Sequence, residues 1–252
     1  MTWFNKKQKP KKSRVEYLIT GNVGFNVSEA FRHLKATLSV SMPKKTNGEG
    51  VAVMLTSACP EDGKTTVAVN LGLMYALSDA RVIVVDADVR KGRVARYFEE
   101  KSAPGLSDYL SGQATLEEVT RGTKASDKFF YISCGTHAPR PYELLESEEM
   151  KNLLRELKGK YDYILIDTPP LLTLSDALAL VPEVDGTVLV CRHESSFVSD
   201  IAKTLNTLKF AKANVLGTVI NDYKQFEGER YKYYSYAEEA QKRAAEAVSE
   251  TK

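Results

Sequence analysis

Short apolar runs alternate with stretches of helical spacing along most of the chain. The apolar runs lie at residues 51–56, 82–86, 129–133, 161–167, 186–191 and 214–220, and the helical stretches lie at 65–78, 147–158, 175–181 and 196–211. Runs that are apolar at nearly every position are typical of strands buried on both faces. Their alternation with helices predicts βαβ units, and therefore an α/β fold: a doubly wound, mostly parallel sheet with helices on both faces.

A further helix is predicted ahead of the first strand, over residues 28–40. Ser28 is its expected N-cap, and Phe31, Leu34 and Leu38 recur at a spacing that places them on one side of the helix. That side is expected to pack against the sheet domain.

The composition divides the chain into residues 1–27, 28–222 and 223–252. The first 15 residues carry six lysines and arginines and no acidic residue, so residues 1–27 are interpreted as a basic mobile arm. A solvated tail is favoured over an arm that contacts anionic lipid or an acidic partner. Residues 28–222 form the predicted folded domain, and the polar, tyrosine-rich residues 223–252 are expected to form a flexible tail.

Composition and charge limit the class of protein. Of the 252 residues 43% are hydrophobic and 27% are charged, which is typical of a globular domain. The net charge of +2 gives no support for a nucleic-acid partner. The three cysteines are far apart in the sequence, which argues against a zinc site or a disulfide framework and favours a reducing compartment. No apolar run is long enough to span a bilayer, so we expect a cytoplasmic protein.

The stretch from Ala58 to Thr66, ACPEDGKTT, follows the first predicted strand and precedes a helix. This context predicts a phosphate-binding loop, in which backbone amides and the helix N-terminus hold the phosphates. Lys64 would meet the outer phosphate oxygens, and the Thr65 hydroxyl would bind Mg²⁺. The general pattern has glycine where this chain has Ala58, and the alternative is a helix-capping turn that happens to contain GKT. The predicted nucleotide contacts in the loop are Pro60, Glu61, Asp62, Gly63, Lys64, Thr65 and Thr66.

Two more predicted strands end in acidic residues. Asp86 and Asp88 follow RVIVV, and Asp167 follows YDYILI. Parallel strands present their carboxyl ends at one edge of the sheet, so these carboxylates are expected to lie beside the loop. Each aspartate alone could equally cap the following helix, but Mg²⁺ with a nucleotide would offset the cost of burying all three.

The order of these motifs resembles the bacterial tyrosine kinases, P-loop kinases linked to capsule and exopolysaccharide synthesis. The resemblance rests on GKTT, on D-x-D-x-R from Asp86 to Arg90 and on ILIDTPP around Asp167, which look like the Walker A, A′ and B motifs of that family. It covers residues 28–236 and includes PGLSDYL, ELL, SDAL, VDGTVLV and the tyrosine run YKYYSY.

The resemblance implies a P-loop NTPase fold and phosphorylation of tyrosine with ATP and Mg²⁺. It makes Lys64, Asp86 and Asp88 the catalytic residues, and it places the metal between Thr65, Asp86, Asp88 and Asp167. Arg90 and Asp167 join the nucleotide contacts. A free phenol has a pKa near 10, so a carboxylate that accepts its proton assists attack at neutral pH. Which aspartate is the base stays open.

Four tyrosines near the end of the chain are the expected substrates. They fall within six residues that offer little apolar support for burial. The alternative is that they pack as a terminal strand or an aromatic latch. The predicted autophosphorylation sites are Tyr231, Tyr233, Tyr234 and Tyr236.

The family assembles rings through an E-x-x-R-x-x-R helix, in which one subunit's tyrosine tail reaches its neighbour's site. Glu29, Arg32 and Lys35 match this motif, with lysine in place of the last arginine. Lysine lacks the planar fork of arginine, so the contact is expected to be weaker. The alternative is a solvated helix face with an internal ion pair. Phosphorylation of the tail, which adds negative charge, is expected to loosen the ring.

Two features depart from the family pattern. Glu61 stands where the family commonly has glycine, so Glu61 and Asp62 are expected to flank the polyphosphate site and weaken nucleotide binding. The tail also continues beyond Tyr236, where the family's cluster tends to end the chain.

The resemblance also implies partners. These are a transmembrane adaptor of the polysaccharide co-polymerase type that recruits the kinase to the inner membrane face, a homo-oligomeric ring and a cognate tyrosine phosphatase. The main alternative is a Min- or Par-type positioning ATPase, which would carry an extra lysine that Ser57–Pro60 lack. A second alternative is an adaptor that binds nucleotide without catalysis.

Overall fold

The computed structural model describes residues 14–20, 23–43 and 48–223. Its centre is a seven-stranded sheet. The strands are β1 (Val51–Ser57), β2 (Val82–Asp86), β3 (Thr120–Thr123), β4 (Ser126–Ile132), β5 (Tyr163–Asp167), β6 (Gly186–Arg192) and β7 (Val215–Asn221).

The strands are ordered β3-β4-β2-β5-β1-β6-β7 across the sheet. All neighbours are parallel except β3 and β4, which form an antiparallel edge. The predicted doubly wound, mostly parallel fold is therefore confirmed. The carboxyl ends of β1, β2 and β5 lie side by side at one edge, where ligands bind in sheets of this type.

Seven α-helices connect or flank the strands in the described residues. They are α1 (Phe25–Ser41), α2 (Lys64–Ala76), α3 (Leu106–Leu110), α4 (Leu116–Val119), α5 (Pro141–Glu146), α6 (Glu148–Lys160) and α7 (Val198–Phe210). Short 3-10 segments span Arg14–Tyr17, Val94–Tyr97 and Asp176–Glu183.

Each face of the sheet carries its own apolar core. Along β1, Val53 and Leu55 belong to one core with α1 and α2, whereas Ala52 and Met54 belong to the other core with α6. Successive side chains of a strand point to opposite faces, so a strand covered on both sides must be apolar throughout. This explains why the strands appear in the sequence as unbroken apolar runs.

Strand β3 has no counterpart in the sequence prediction. Its four residues, TRGT, carry no apolar side chain and lie half-buried or exposed at the edge of the sheet. The strand exists because its backbone pairs with β4. The predicted helix at 175–181 is instead a 3-10 segment, Asp176–Glu183, which contains Pro182; proline cannot supply the amide hydrogen that an α-helix requires.

The N-terminal part differs from the predicted arm of residues 1–27. Leu18 and Ile19 are buried in the core beside α2. The Asn70 side chain of α2 holds this segment, since its Oδ1 accepts from Ile19 N at 2.8 Å and its Nδ2 donates to Tyr17 O at 2.9 Å. Residues 14–20 are thus part of the folded unit.

Helix α1 begins at Phe25, with Gly24 at the N-cap. Ser28 therefore lies inside the helix, and its prediction as the N-cap is wrong. The predicted apolar face is confirmed, because Leu38 is buried and Phe31 and Leu34 pack against the same core. In the described parts of the chain, no helix has the length and apolar character needed to cross a membrane.

Candidate nucleotide-binding site

The loop between β1 and α2 ends at Gly63, which caps α2 in a left-handed conformation with φ of 92°. A Cβ at this position would lie 1.9 Å from Asn221 Nδ2, so both the dihedral and the space require glycine. No side chain caps the first turn of α2, which leaves its amides available to an anion. Lys64 starts the helix and is buried, and its ammonium makes no hydrogen bond within the described residues.

The carboxylate of Asp62 is occupied inside the protein. Its Oδ2 accepts from Cys59 N at 3.1 Å and its Oδ1 accepts from Ser196 Oγ at 2.8 Å. Asn221 Nδ2 donates to the Asp62 carbonyl oxygen at 3.0 Å. Asp62 thereby ties the loop to β7 and to the segment after β6. That the Asp62 carboxylate also flanks the polyphosphate stays a prediction.

Pro60 and Glu61 form the exposed tip of the loop. Glu61 has φ of 68°, in the left-handed region. A non-glycine residue in this conformation costs about 1 kcal/mol or more because its Cβ approaches the backbone. The geometry therefore gives a physical reason for glycine at this position and shows that Glu61 is strained.

Asp86 and Asp167 are paired neighbours in the register of β2 and β5. Both are buried. Asp86 Oδ2 accepts from Val94 N at 2.9 Å, and Asp167 Oδ2 accepts from Thr65 Oγ1 at 2.6 Å. The Oδ1 atoms of both aspartates are buried without a hydrogen-bond partner. Thr65, Asp86 and Asp167 thus lie side by side, as predicted from the common edge of parallel strands.

Burial raises the pKa of both carboxyl groups. For Asp86 the shift is large, and the nearby charge of Asp167 adds to the effect of desolvation. For Asp167 the desolvation also dominates, although the Lys64 ammonium and the Thr65 hydroxyl oppose it by favouring the charged form. Two carboxylates this close to each other favour the binding of a positive charge beside them.

The donor set fits Mg²⁺ bound together with a nucleotide. The two unpartnered Oδ1 atoms are hard oxygen ligands of the kind that Mg²⁺ prefers. Within the described residues, no three His, Cys, Asp or Glu side chains are grouped to hold a metal by themselves. Mg²⁺ commonly uses only one or two carboxylates, with phosphates and water supplying the rest, so the arrangement suits a metal that arrives with its nucleotide.

Asp88 lies on the loop after β2 and is partly exposed. Its Oδ1 accepts from Lys91 N at 3.0 Å, which leaves the other oxygen open. Arg90, for which a nucleotide contact stays a prediction, is paired with Asp176, at 2.7 Å from Nε to Oδ2 and 3.3 Å from Nη2 to Oδ1. That hydrogen bond is the main cause that raises the pKa of Arg90, and the charges of Asp88 and Glu143 add to it.

The contact between the hydroxyl groups of Thr66 and Tyr97 was not predicted from the sequence. The Thr66 hydroxyl lies 2.6 Å from Tyr97 OH, and Tyr97 is buried. The hydroxyl of Thr66 is therefore engaged within the protein. Sequence reasoning also missed the supporting roles of Asp176, Ser196 and Asn221. Only Asp176 had a signal, as part of the SDAL motif.

The predicted oligomerisation residues lie on α1. Glu29 and Arg32 form an ion pair with each other. Lys35 Nζ hydrogen-bonds Ser78 Oγ, two residues after the end of α2, and lies 5.9 Å from the centre of the Tyr75 ring. All three side chains thus have partners within their own chain. The predicted autophosphorylation sites Tyr231, Tyr233, Tyr234 and Tyr236 lie outside the described residues.

Comparison with known proteins identifies the family. A family model described as an AAA domain, AAA_31, matches residues 62–219. The chain is 32% identical over 207 residues to the tyrosine-protein kinase YwqD of Bacillus subtilis, covering 82% of this chain and 86% of YwqD. It is 34% identical over 204 residues to a putative tyrosine-protein kinase in the cps region of Klebsiella pneumoniae, covering 81% of this chain and 28% of that protein.

Solved structures agree with the sequence comparison. The kinase domain of the Escherichia coli tyrosine kinase ETK is 30% identical, with a TM-score of 0.76 and 89% of each chain covered. The septum site-determining protein MinD of Pyrococcus horikoshii shares the fold with a TM-score of 0.60 at 27% identity, over 71% of this chain and 72% of MinD. The similarity to the kinases is thus more extensive, and the Min-type alternative is not favoured.

The matches differ in how much of the relative they span. This chain covers 28% of the length of the Acinetobacter johnsonii tyrosine-protein kinase Ptk but 86% of YwqD. The chain therefore spans less than a third of the length of Ptk and most of the length of YwqD. With its AAA domain, its loop at Gly63 and its paired strand-end aspartates, the chain belongs to the bacterial tyrosine-protein kinases.

Proposed function

We propose that this protein is an ATP-dependent protein-tyrosine kinase, with Mg²⁺ as its metal. The observation that carries the proposal is the pair of buried, unpartnered oxygens on Asp86 and Asp167, next to the uncapped N-terminus of α2 and the Lys64 ammonium. The N-terminus of a helix binds anions, and carboxylate oxygens bind Mg²⁺. The two features side by side therefore suit a polyphosphate that carries a metal ion.

Each residue has a role that follows from its position. The α2 amides and Lys64 would hold the phosphates, and Lys64 would stabilise the charge that spreads over the transferred group. Thr65, Asp86 and Asp167 would hold Mg²⁺, which when bound neutralises phosphate charge. Asp88 is the proposed base, because it is more exposed than Asp86 and keeps one carboxylate oxygen open to accept the phenol proton.

The proposed substrates are the tyrosines of the C-terminal cluster, phosphorylated in trans between subunits of a ring formed through Glu29, Arg32 and Lys35. We place the kinase at the inner face of the cell membrane, recruited by a transmembrane adaptor, opposed by a tyrosine phosphatase and regulating capsular or exopolysaccharide synthesis and export. The name of the Klebsiella relative, which places it in a cps region, supports this setting.

The direct test is incubation of the purified chain with Mg²⁺ and γ-labelled ATP, followed by detection of phosphotyrosine. We expect label on the wild-type chain and a loss of about 100-fold or more for Lys64→Met and Asp86→Asn. Replacement of all four cluster tyrosines by phenylalanine separates the tail from other acceptors. If the wild-type chain binds Mg-ADP but forms no phosphotyrosine with any adaptor fragment, it is a nucleotide-binding adaptor instead.

Transfer in trans is tested by mixing two chains, neither of which can phosphorylate its own tyrosine cluster. One is the Lys64→Met chain with an intact tail, and the other is an active chain whose four cluster tyrosines are phenylalanine. Label on the Lys64→Met chain requires transfer between subunits. Absence of label there, with self-labelling of the wild type, would show transfer within one chain.

A further inference from the structure

An ion pair between the buried Asp176 and the partly exposed Arg90 joins two of the segments that surround the site. Arg90 contacts both carboxylate oxygens of Asp176, through Nε at 2.7 Å and Nη2 at 3.3 Å. The Asp176 side chain is 4% exposed and that of Arg90 is 37% exposed. A two-point contact fixes the direction of a guanidinium as well as its distance. None of the proposed chemical steps uses Asp176.

Asp176 is itself anchored to the phosphate-binding loop. It lies in the segment that follows β5, and this segment hydrogen-bonds the end of β1. Leu171 N donates to Ser57 O at 2.9 Å, and Leu172 N donates to Ala58 O at 3.3 Å. The position of Asp176 is therefore tied to the start of the loop that ends at Gly63.

Arg90 lies in the middle of the loop that carries Asp88. Other contacts hold the two ends of this loop, since Ala87 N donates to Asp167 O at 2.8 Å and Val94 N donates to Asp86 Oδ2 at 2.9 Å. Lys91 N donates to Asp88 O at 3.1 Å and to Asp88 Oδ1 at 3.0 Å, so a tight turn encloses Arg90. Fixing Arg90 in place thereby fixes Asp88.

We propose that Arg90, held by the buried carboxylate of Asp176, is a positioning residue that sets Asp88 relative to the phosphate-binding loop, and that it does not contact the nucleotide. The effect on catalysis rests on the proposed function, because it needs Asp88 to act as the base on the acceptor tyrosine. The pair links the loop after β2, the segment after β5 and the loop after β1, so all three move as one unit.

The test compares Arg90→Lys, Asp176→Asn and the double variant. Lysine keeps the charge but cannot make the two-point contact, so Arg90→Lys is expected to fold. We expect each single variant to lower kcat for phosphotyrosine formation about 10- to 100-fold, with KM for ATP within about threefold of wild type. The kcat of the double variant should be no lower than that of either single variant, because the two substitutions break the same contact.

A second readout does not depend on kinase activity. The loop that Arg90 holds also carries Val94 N, which donates to the proposed metal ligand Asp86 at 2.9 Å. The Mg²⁺ concentration that gives half-maximal ADP binding should therefore rise about 10-fold or more in the variants, while ADP affinity without Mg²⁺ stays unchanged. This readout still tests the positioning role if the wild-type chain makes no phosphotyrosine, in which case the proposed function fails by itself. Lys151→Met breaks the exposed pair with Glu148 and is the matched control, expected to behave as wild type.

Two results would overturn the proposal. If Arg90→Lys weakens ADP binding in the absence of Mg²⁺ and Asp176→Asn does not, Arg90 contacts the nucleotide. If folded variants, as judged by thermal melting, keep the wild-type kcat and Mg²⁺ dependence, the pair has no positioning role.

Discussion

Asp86 and Asp167 face each other across β2 and β5, each with one carboxylate oxygen bound to a protein donor and one buried without a partner. Their mutual repulsion and desolvation destabilise the nucleotide-free fold. The site is therefore built at a cost in stability that a bound cation would remove.

Asp86→Asn is expected to stabilise the nucleotide-free protein while it abolishes metal binding. The amide oxygen can still accept from Val94 N, and the new amino group can donate towards the unpartnered oxygen of Asp167. We expect the free energy of unfolding in urea to rise by about 1–2 kcal/mol at pH 7.5, and the stabilisation by Mg-ADP to disappear. An equal or lower stability of the variant without nucleotide would contradict this account.

The same pair predicts a pH dependence with a definite sign. Both carboxyl groups have a pKa above the usual value, so the folded state binds protons more tightly than the unfolded state. Their favourable contribution to the free energy of unfolding is complete below their pKa in the unfolded state, which is about 4. This contribution is lost as the pH rises through their pKa values in the folded state. The stability advantage of Asp86→Asn over wild type should thus grow from pH 4 towards neutral pH in unfolding series without nucleotide. If the difference in stability between Asp86→Asn and the wild type stays constant across that range, the carboxyl groups do not have raised pKa values.

Glu61→Gly is expected to act through the backbone and through charge. Glycine removes the strain at a φ of 68° and should stabilise the protein by about 1 kcal/mol. Loss of the carboxylate should also strengthen ADP binding, measured by calorimetry. Glu61→Ala separates the two effects, since it removes the charge and keeps the Cβ. We expect both variants to bind ADP more tightly by the same factor and only Glu61→Gly to gain stability. If neither variant binds ADP more tightly, the Glu61 charge does not weaken nucleotide binding.

Asn70→Ala should release the N-terminal segment. The side chain makes three hydrogen bonds, to Ile19 N, Tyr17 O and Thr66 O. Their loss is expected to cost about 1–3 kcal/mol and to speed hydrogen exchange at Leu18 and Ile19 well above that of the sheet. Asn70→Asp keeps the acceptor for Ile19 N, but it would bury a carboxylate against the carbonyl oxygens of Tyr17 and Thr66, so it should destabilise the protein at least as much as Asn70→Ala. Unchanged exchange at Leu18 and Ile19 in Asn70→Ala would show that apolar burial alone holds the segment.

The sequence by itself determined the parts of this protein that depend on local pattern. β2 was predicted at its observed bounds because a strand buried on both faces must be apolar at every position. The loop at Gly63, Lys64 and Thr65 follows from chemistry contained within one turn. The meeting of Asp86 and Asp167 could also be inferred, since parallel strands end at a common edge.

The tertiary structure decided everything that depends on contacts between distant residues. Arg90 and Asp176 are 86 positions apart, and Asp62 and Ser196 are 134 apart; no local pattern says that their side chains meet. The same holds for Asn70, whose partner Ile19 lies within residues 1–27, which the composition assigned to a mobile arm. Strand β3 depends on pairing with β4 and carries no apolar signal of its own. Apolar pattern records which positions are buried, whereas the direction of a buried polar side chain is set by the partner that packing brings within hydrogen-bond distance.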